Sequence, residues 1–161
     1  MFVFKSRALA LIAVLSVSLT ACQKVSIPRV SSNVGDVNDF SSDFVMHYLD
    51  SDPKTFATSQ GVLRQVASPG CIQRMTKAGV LVKNAKEMKA KTAQLAKKRI
   101  PDVFEITSVE QGDVTPGGLI AVTVRGELQK ATGKPISCAY KLLLGVRKDN
   151  GKLAVVTITK L

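Results

Sequence analysis

The hydrophobic period changes once along this chain, near Pro101, and that change limits the fold more than any other feature. Ahead of it, apolar residues recur at helical spacing. Val37, Phe40, Phe44, Tyr48 and Leu49 mark one stretch, with Asp36 available as N-cap. Phe56, Leu63 and Val66 mark a second, bracketed by Pro53 and Gly61. Ser68-Pro69 reads as a helix start, with Ser as N-cap and Pro at the first position. Its candidate inner face is Ile72, Met75 and Val82, and Gly79 is placed to end or bend it. Asn84–Arg99 is rich in Ala and Lys, which are good helix formers, and carries only Met88, Thr92 and Leu95 as an apolar stripe.

Beyond Pro101 the period drops to two. Ile120, Val122, Val124 and Leu128 alternate with Thr123, Arg125 and Glu127, and Cys138, Tyr140, Leu142, Leu144 and Val146 alternate with Ser137, Lys141 and Arg147. Such alternation predicts half-buried antiparallel strands with one face packed and one wet. Asn150-Gly151 predicts a hairpin turn in which both residues take positive φ, and Leu153–Ile158 the return strand. Pro116-Gly117-Gly118 and Thr132-Gly133 mark further turns. Helices first and strands after predict an α+β domain, its N-terminal helices packed on one face of a curved antiparallel sheet.

The first residues carry an address. Lys5 and Arg7 precede an apolar run over Ala8–Val17, which has the length of a signal-peptide core. It falls short of the about 20 residues that span a bilayer comfortably. Leu19-Thr20-Ala21-Cys22 follows and resembles the lipobox of bacterial lipoproteins. The resemblance implies cleavage before Cys22, a diacylglycerol on its thiol and an acylated amine. The competing reading is an uncleaved short anchor in which Cys22 is incidental. Each buried acyl methylene contributes about 0.8 kcal/mol, so several chains together anchor a protein stably. Gln23, rather than Asp, after the cysteine resembles lipoproteins sent to the outer membrane. Residues 1–21 are thus read as a signal peptide and 22–36 as the lipidated Cys22 and a flexible tether. The tether is polar, with Pro28, Ser31, Ser32 and Gly35, and has a maximum reach of about 45 Å. Residues 37–161 form a single α+β domain. The expected location is the cell envelope, facing the periplasm, with the outer membrane favoured over the inner.

Charge and composition bound the chemistry. The 161 residues hold 23 Lys+Arg against 12 Asp+Glu, a net +11 that loss of Lys5 and Arg7 reduces to +9. With 45% hydrophobic residues the chain is not disordered. A single His, His47, excludes a metal site or a triad built on several imidazoles. There is no Gly-rich phosphate loop, and no cofactor is expected. His47 lies beside the apolar stripe of the first helix and reads as a partly buried or surface residue. Asp39, Asp43, Asp50 and Asp52 crowd the same region and read as a solvated face with cap duty, a carboxylate metal site being the lesser alternative.

Lys86, Lys89, Lys97 and Lys98 are candidate partner-binding residues. A basic run can bind nucleic acid through counterion release. This one lacks interleaved aromatics for base stacking and belongs to an exported chain, so no nucleic acid is expected. An acidic protein or an anionic lipid surface is the better match, and a merely solvated helix face is the bland alternative. Cys71 and Cys138 both fall on apolar faces. In an oxidising compartment they are a candidate disulfide, the alternative being two buried thiols acting as small hydrophobes. No C-x-x-C points to redox catalysis.

Three segments together resemble a known family. Ser68-Pro69-Gly70-Cys71-Ile72-Gln73-Arg74-Met75 opens a lysine-rich helical stretch. Val122-Thr123-Val124-Arg125-Gly126-Glu127-Leu128 leads to Thr132-Gly133, and Tyr140–Val146 leads through Arg147-Lys148-Asp149-Asn150-Gly151. In order and spacing these resemble the TraE family of F-type conjugative transfer proteins, over roughly residues 45 to 155. The resemblance implies a cystatin-like cone, as in nuclear transport factor two. It implies a non-enzymatic periplasmic scaffold or assembly component of a type IV secretion or conjugative transfer apparatus. The partners it implies are other subunits of that apparatus; the acyl chains would add the membrane, and a homo-oligomer is compatible. This chain departs from the family in one respect: members are held in the inner membrane by an uncleaved N-terminal helix, whereas this one looks lipidated. The alternative is a lipid-anchored ligand-binding protein with a pocket between helices and sheet. No catalytic residue is expected, because the carboxylates stand mainly at helix starts and turns.

Overall fold

The computed structural model describes residues 34–98, 100–130, 133–148 and 150–161. The signal peptide, Cys22 and nearly all of the tether lie outside the described residues. Four helices precede four strands: α1 (Val34–Leu49), α2 (Phe56–Val66), α3 (Pro69–Lys77), α4 (Ala85–Ala96), β1 (Val103–Val114), β2 (Ile120–Gln129), β3 (Ile136–Val146) and β4 (Leu153–Lys160).

Two of the four helix starts follow from side-chain caps. Ser68 is extended and its hydroxyl accepts from the Cys71 N–H at 3.3 Å, with Pro69 opening α3. Asn84 accepts from the Glu87 N–H at 2.9 Å, and the Glu87 carboxylate takes the Lys83 N–H at 2.7 Å, so both ends of this turn are satisfied. Gly79, at φ +73°, follows the last turn of α3 and ends it. Val82 therefore leaves the face expected of it. It joins Phe56, Leu95 and the half-buried Met88 in a small satellite core that holds α4. α1 starts at Val34, so Asp36, expected as its N-cap, lies inside the helix instead.

The sheet is an antiparallel meander in the order β1-β2-β3-β4. β1 is the strand that the alternation rule missed. Its register with β2 shifts between Ile106 and Ser108. One extra residue there throws the apolar phase from Phe104 and Ile106 on to Val109, so a strict period of two fails. The β3–β4 connection also differs from expectation. Arg147 donates to Lys152 O at 2.8 Å and Gly151 to Arg147 O at 2.9 Å, giving a four-residue loop with Gly151 at φ +67° rather than a two-residue turn.

All four helices do not share the work of covering the sheet equally. Phe44 and Val45 of α1, Leu63 of α2, and Cys71 and Met75 of α3 pack against one sheet face. That face presents Val122, Val124, Tyr140, Leu142, Leu144 and Val155. Fully burying such side chains is worth about 1.5–3 kcal/mol each. The opposite face carries Thr123, Arg125, Glu127 and Lys141, as the alternation predicts. Of the two edges, β4 is partly sealed: the Ser68 N–H donates to Val155 O at 2.9 Å, and the Arg74 guanidinium bonds Val156 O. Among the described residues no helix is long and apolar enough to cross a membrane.

Candidate functional sites at the α1–α2 turn and on α4

The sequence placed two chemistry-bearing groups near the first helices, His47 and the aspartates, and the structure brings part of that set together. Asp50 closes α1, and its Oδ1 accepts the Asp52 N–H at 2.9 Å; Asp52 Oδ1 in turn accepts the Lys54 N–H at 2.9 Å. These two side-chain turns carry the chain from α1 into α2. Asp50 Oδ2 accepts from Thr55 Oγ1 at 2.8 Å and from Ser59 Oγ at 2.5 Å, and His47 Nδ1 lies 2.9 Å from Ser59 Oγ. Asp39 and Asp43 stay apart, exposed on α1. Among the described residues no cluster of His, Cys, Asp and Glu is arranged to hold a metal ion.

Asp50, Ser59 and His47 contain the residue types of a hydrolytic triad but not its polarity. A nucleophilic serine gives its proton to imidazole, and the carboxylate orients the far side of that ring. Here Ser59 gives its single proton to Asp50, so His47 Nδ1 must be the donor toward Ser59. Ser59 is also only 2% exposed. The arrangement is a latch between the end of α1 and the second turn of α2. An open cleft of about 350 Å³ lies beside it, walled by Met46, Leu49, Val103 and Phe104. Asp102 belongs to the same lining, and its N–H donates to Ser51 Oγ at 2.9 Å. Ser59 and Gln60, both buried, were not singled out from the sequence, since nothing in a polar run shows which hydroxyl or amide turns inward. Gln60 accepts from the Val82 N–H at 2.9 Å and donates to Val80 O at 3.0 Å, fastening the α3–α4 connection to α2.

The basic helix is placed as its composition suggests. Lys86, Lys89, Lys97 and Lys98 are all exposed, while Leu95 is the buried residue of α4. Lys98 is the one of the four in an ion pair, reaching Asp102 at 3.1 Å. Lys77, Lys83 and Lys91 gather around a groove of about 430 Å³ between the end of α3 and α4.

Cys71 and Cys138 are both buried and are free thiols, which is the second of the two arrangements the sequence left open. Each thiol neighbours a tyrosine. Tyr48 and Tyr140 stand edge to face at 6.0 Å, Cys71 acts on the first and Cys138 on the second. Burial pushes the Cys71 thiol above its usual range, with Arg74 partly opposing it. Burial likewise raises both tyrosine hydroxyls, helped by the neighbouring thiols. A thiol so disposed is packing, not a nucleophile. Comparison with protein-family models, curated proteins and solved structures finds no match.

Proposed function

We propose that this chain is a lipid-anchored, periplasm-facing docking domain. It works as a non-enzymatic assembly component, and the apparatus implied by its TraE-like segments is a type IV secretion or conjugative transfer machine with a cystatin-like subunit. The observation that carries the docking role is α4. This helix is attached through a single buried side chain, Leu95, with the half-buried Met88 beside it, and turns Lys86, Lys89 and Lys97 to solvent. A helix that buries so little is held for what it presents. The lipobox at Leu19–Cys22 and the tether supply the anchoring half of the reading.

The mechanism is geometric: acyl chains confine the domain to a membrane surface, and a cationic face captures an acidic partner there. The test is cross-linking in the native host, comparing wild type, Cys22→Ser and Lys89→Glu with Lys97→Glu. Surface changes of this kind stay within about 0.5 kcal/mol of wild-type stability. The double reversal should lose envelope-subunit cross-links in a salt-dependent way, and Cys22→Ser should lose fatty-acid labelling. Full recovery of the same partners by the double reversal would reduce α4 to a solvated face.

A further inference from the structure

A second cleft, of about 570 Å³, opens at the other end of the sheet from the α1–α2 latch. Three distant stretches of chain build it: Phe40 from α1, Arg64 and Val66 from the last turn of α2, and Arg147, Lys152 and Leu153 from the β3–β4 hairpin. Phe40, Val66 and Leu153 are half-buried and continuous with the main core, so the floor is apolar and firmly backed. Both guanidinium groups are tied back to the main chain. Arg147 Nη2 donates to Ala67 O at 3.1 Å, and Arg64 Nη2 donates to Val82 O. Each bond uses one of five N–H donors and fixes the direction of the fork.

One arginine in the last turn of a helix needs no further reason, because it complements the C-terminal partial charge. That account reaches Arg64 alone. Arg147 and Lys152 arrive from a hairpin some 80 residues later, and none of the described lining residues is acidic. Bringing three cations to one cleft costs free energy through mutual repulsion, and an anion in the cleft removes that cost. Tethered guanidinium forks match the planar oxygen pairs of carboxylate and phosphate. The apolar floor adds room for a hydrocarbon portion, and the volume falls within the range of small-molecule sites.

We propose that this cleft binds an anionic amphiphile, with a carboxylate or phosphate head held by Arg64, Arg147 and Lys152 and an apolar chain laid on Phe40, Val66 and Leu153. The site is independent of the docking face on α4 and stands or falls without it. The chain from Gln23 onward is the right material, because it keeps every residue of both cores. Isothermal titration with decanoate, with dihexanoyl-phosphatidylglycerol and with inorganic phosphate, each as monomers, tests it. Saturable one-to-one binding is expected for an amphiphile, and much weaker binding for phosphate. Decanoate alone would identify a free fatty acid as the source, and the phosphatidylglycerol alone a lipid headgroup.

Arg147→Gln with Lys152→Gln should weaken binding about tenfold or more. Lys152→Glu, at an exposed position where folding is safe, should weaken it in the same direction. Lys89→Glu with Lys97→Glu should leave it unchanged. No saturable binding of either amphiphile up to millimolar concentration would overturn the proposal. So would affinity that the cleft variants do not alter, or phosphate bound as tightly as the amphiphiles.

Discussion

Gly126 shows how narrowly one residue can be dictated. It sits in β2 opposite Ile106 on one side and Cys138 on the other. A Cβ there would lie 2.3 Å from Glu105 O and 2.5 Å from the Phe104 ring. The first obstacle is backbone inside a ladder, which cannot swing aside as a side chain can. Gly151 differs: nothing lies within 4 Å of its Cβ position, and only its φ of +67° resists a side chain. Gly126→Ala should therefore cost about 3 kcal/mol, at the upper end of overpacking, and Gly151→Ala about 1 kcal/mol, as expected for a left-handed residue. Urea midpoints of the two variants provide the ranking, and equal losses would contradict it. The sequence shows one glycine inside a strand and one in a turn. It could not rank them, because the approach of Phe104 depends on a register that only pairing reveals.

Among the elements, the helices were the more legible. Ser68-Pro69 announces its helix through local chemistry, and that cap forms where the sequence reading put it; Asn84 caps α4 although only its Ala- and Lys-rich composition had marked that helix. β1 was opaque for an equally local reason: its bulge at Thr107 breaks the alternation that betrays β2 and β3. α4 is the element whose stability rests most on its own cap, because Leu95 is its one buried residue. Asn84→Ala removes the acceptor of the Glu87 N–H and should cost about 1 kcal/mol. Hydrogen exchange should show the loss confined to α4, with the sheet amides unchanged. Uniform loss over the whole molecule would mean that α4 and the main core unfold as one unit.

At the scale of the whole molecule, two buried ionisable groups and the half-buried Tyr48 meet in the main core, and they set its behaviour in base. Cys71, Tyr48 and Tyr140 are all raised, chiefly by burial, above the ordinary 9.0 of a thiol and 10.0 of a phenol. In the unfolded chain these groups lose their protons at the ordinary values, so above pH 9 the unfolded state binds fewer protons than the folded one. Stability is then fully present below that pH and falls as pH rises toward the raised folded values. Tyr48→Phe should flatten the fall, since the two proteins differ at that one group. Denaturation series for the two proteins at neutral and alkaline pH should diverge only in base. Parallel curves would remove Tyr48 from the account.

The sequence by itself determined what is periodic or local: an α+β order, the two central strands, two capped helices, a wet sheet face and a lysine-lined helix. Periodicity fixes which residues share a face, and a cap is settled within four residues, so neither needs the rest of the chain. Tertiary structure alone decided what joins remote segments. Ser59 became part of a latch because Asp50 and His47 close over it, and Gln60 became a staple because the 80–82 segment returns to α2. Cys71 and Cys138 each came beside a different tyrosine, Tyr48 and Tyr140, and stayed free thiols. Arg64 and Arg147 came to one cleft only because the β3–β4 hairpin folds back to the end of α2. Such meetings depend on the three-dimensional return of the chain, and a linear pattern carries no record of it.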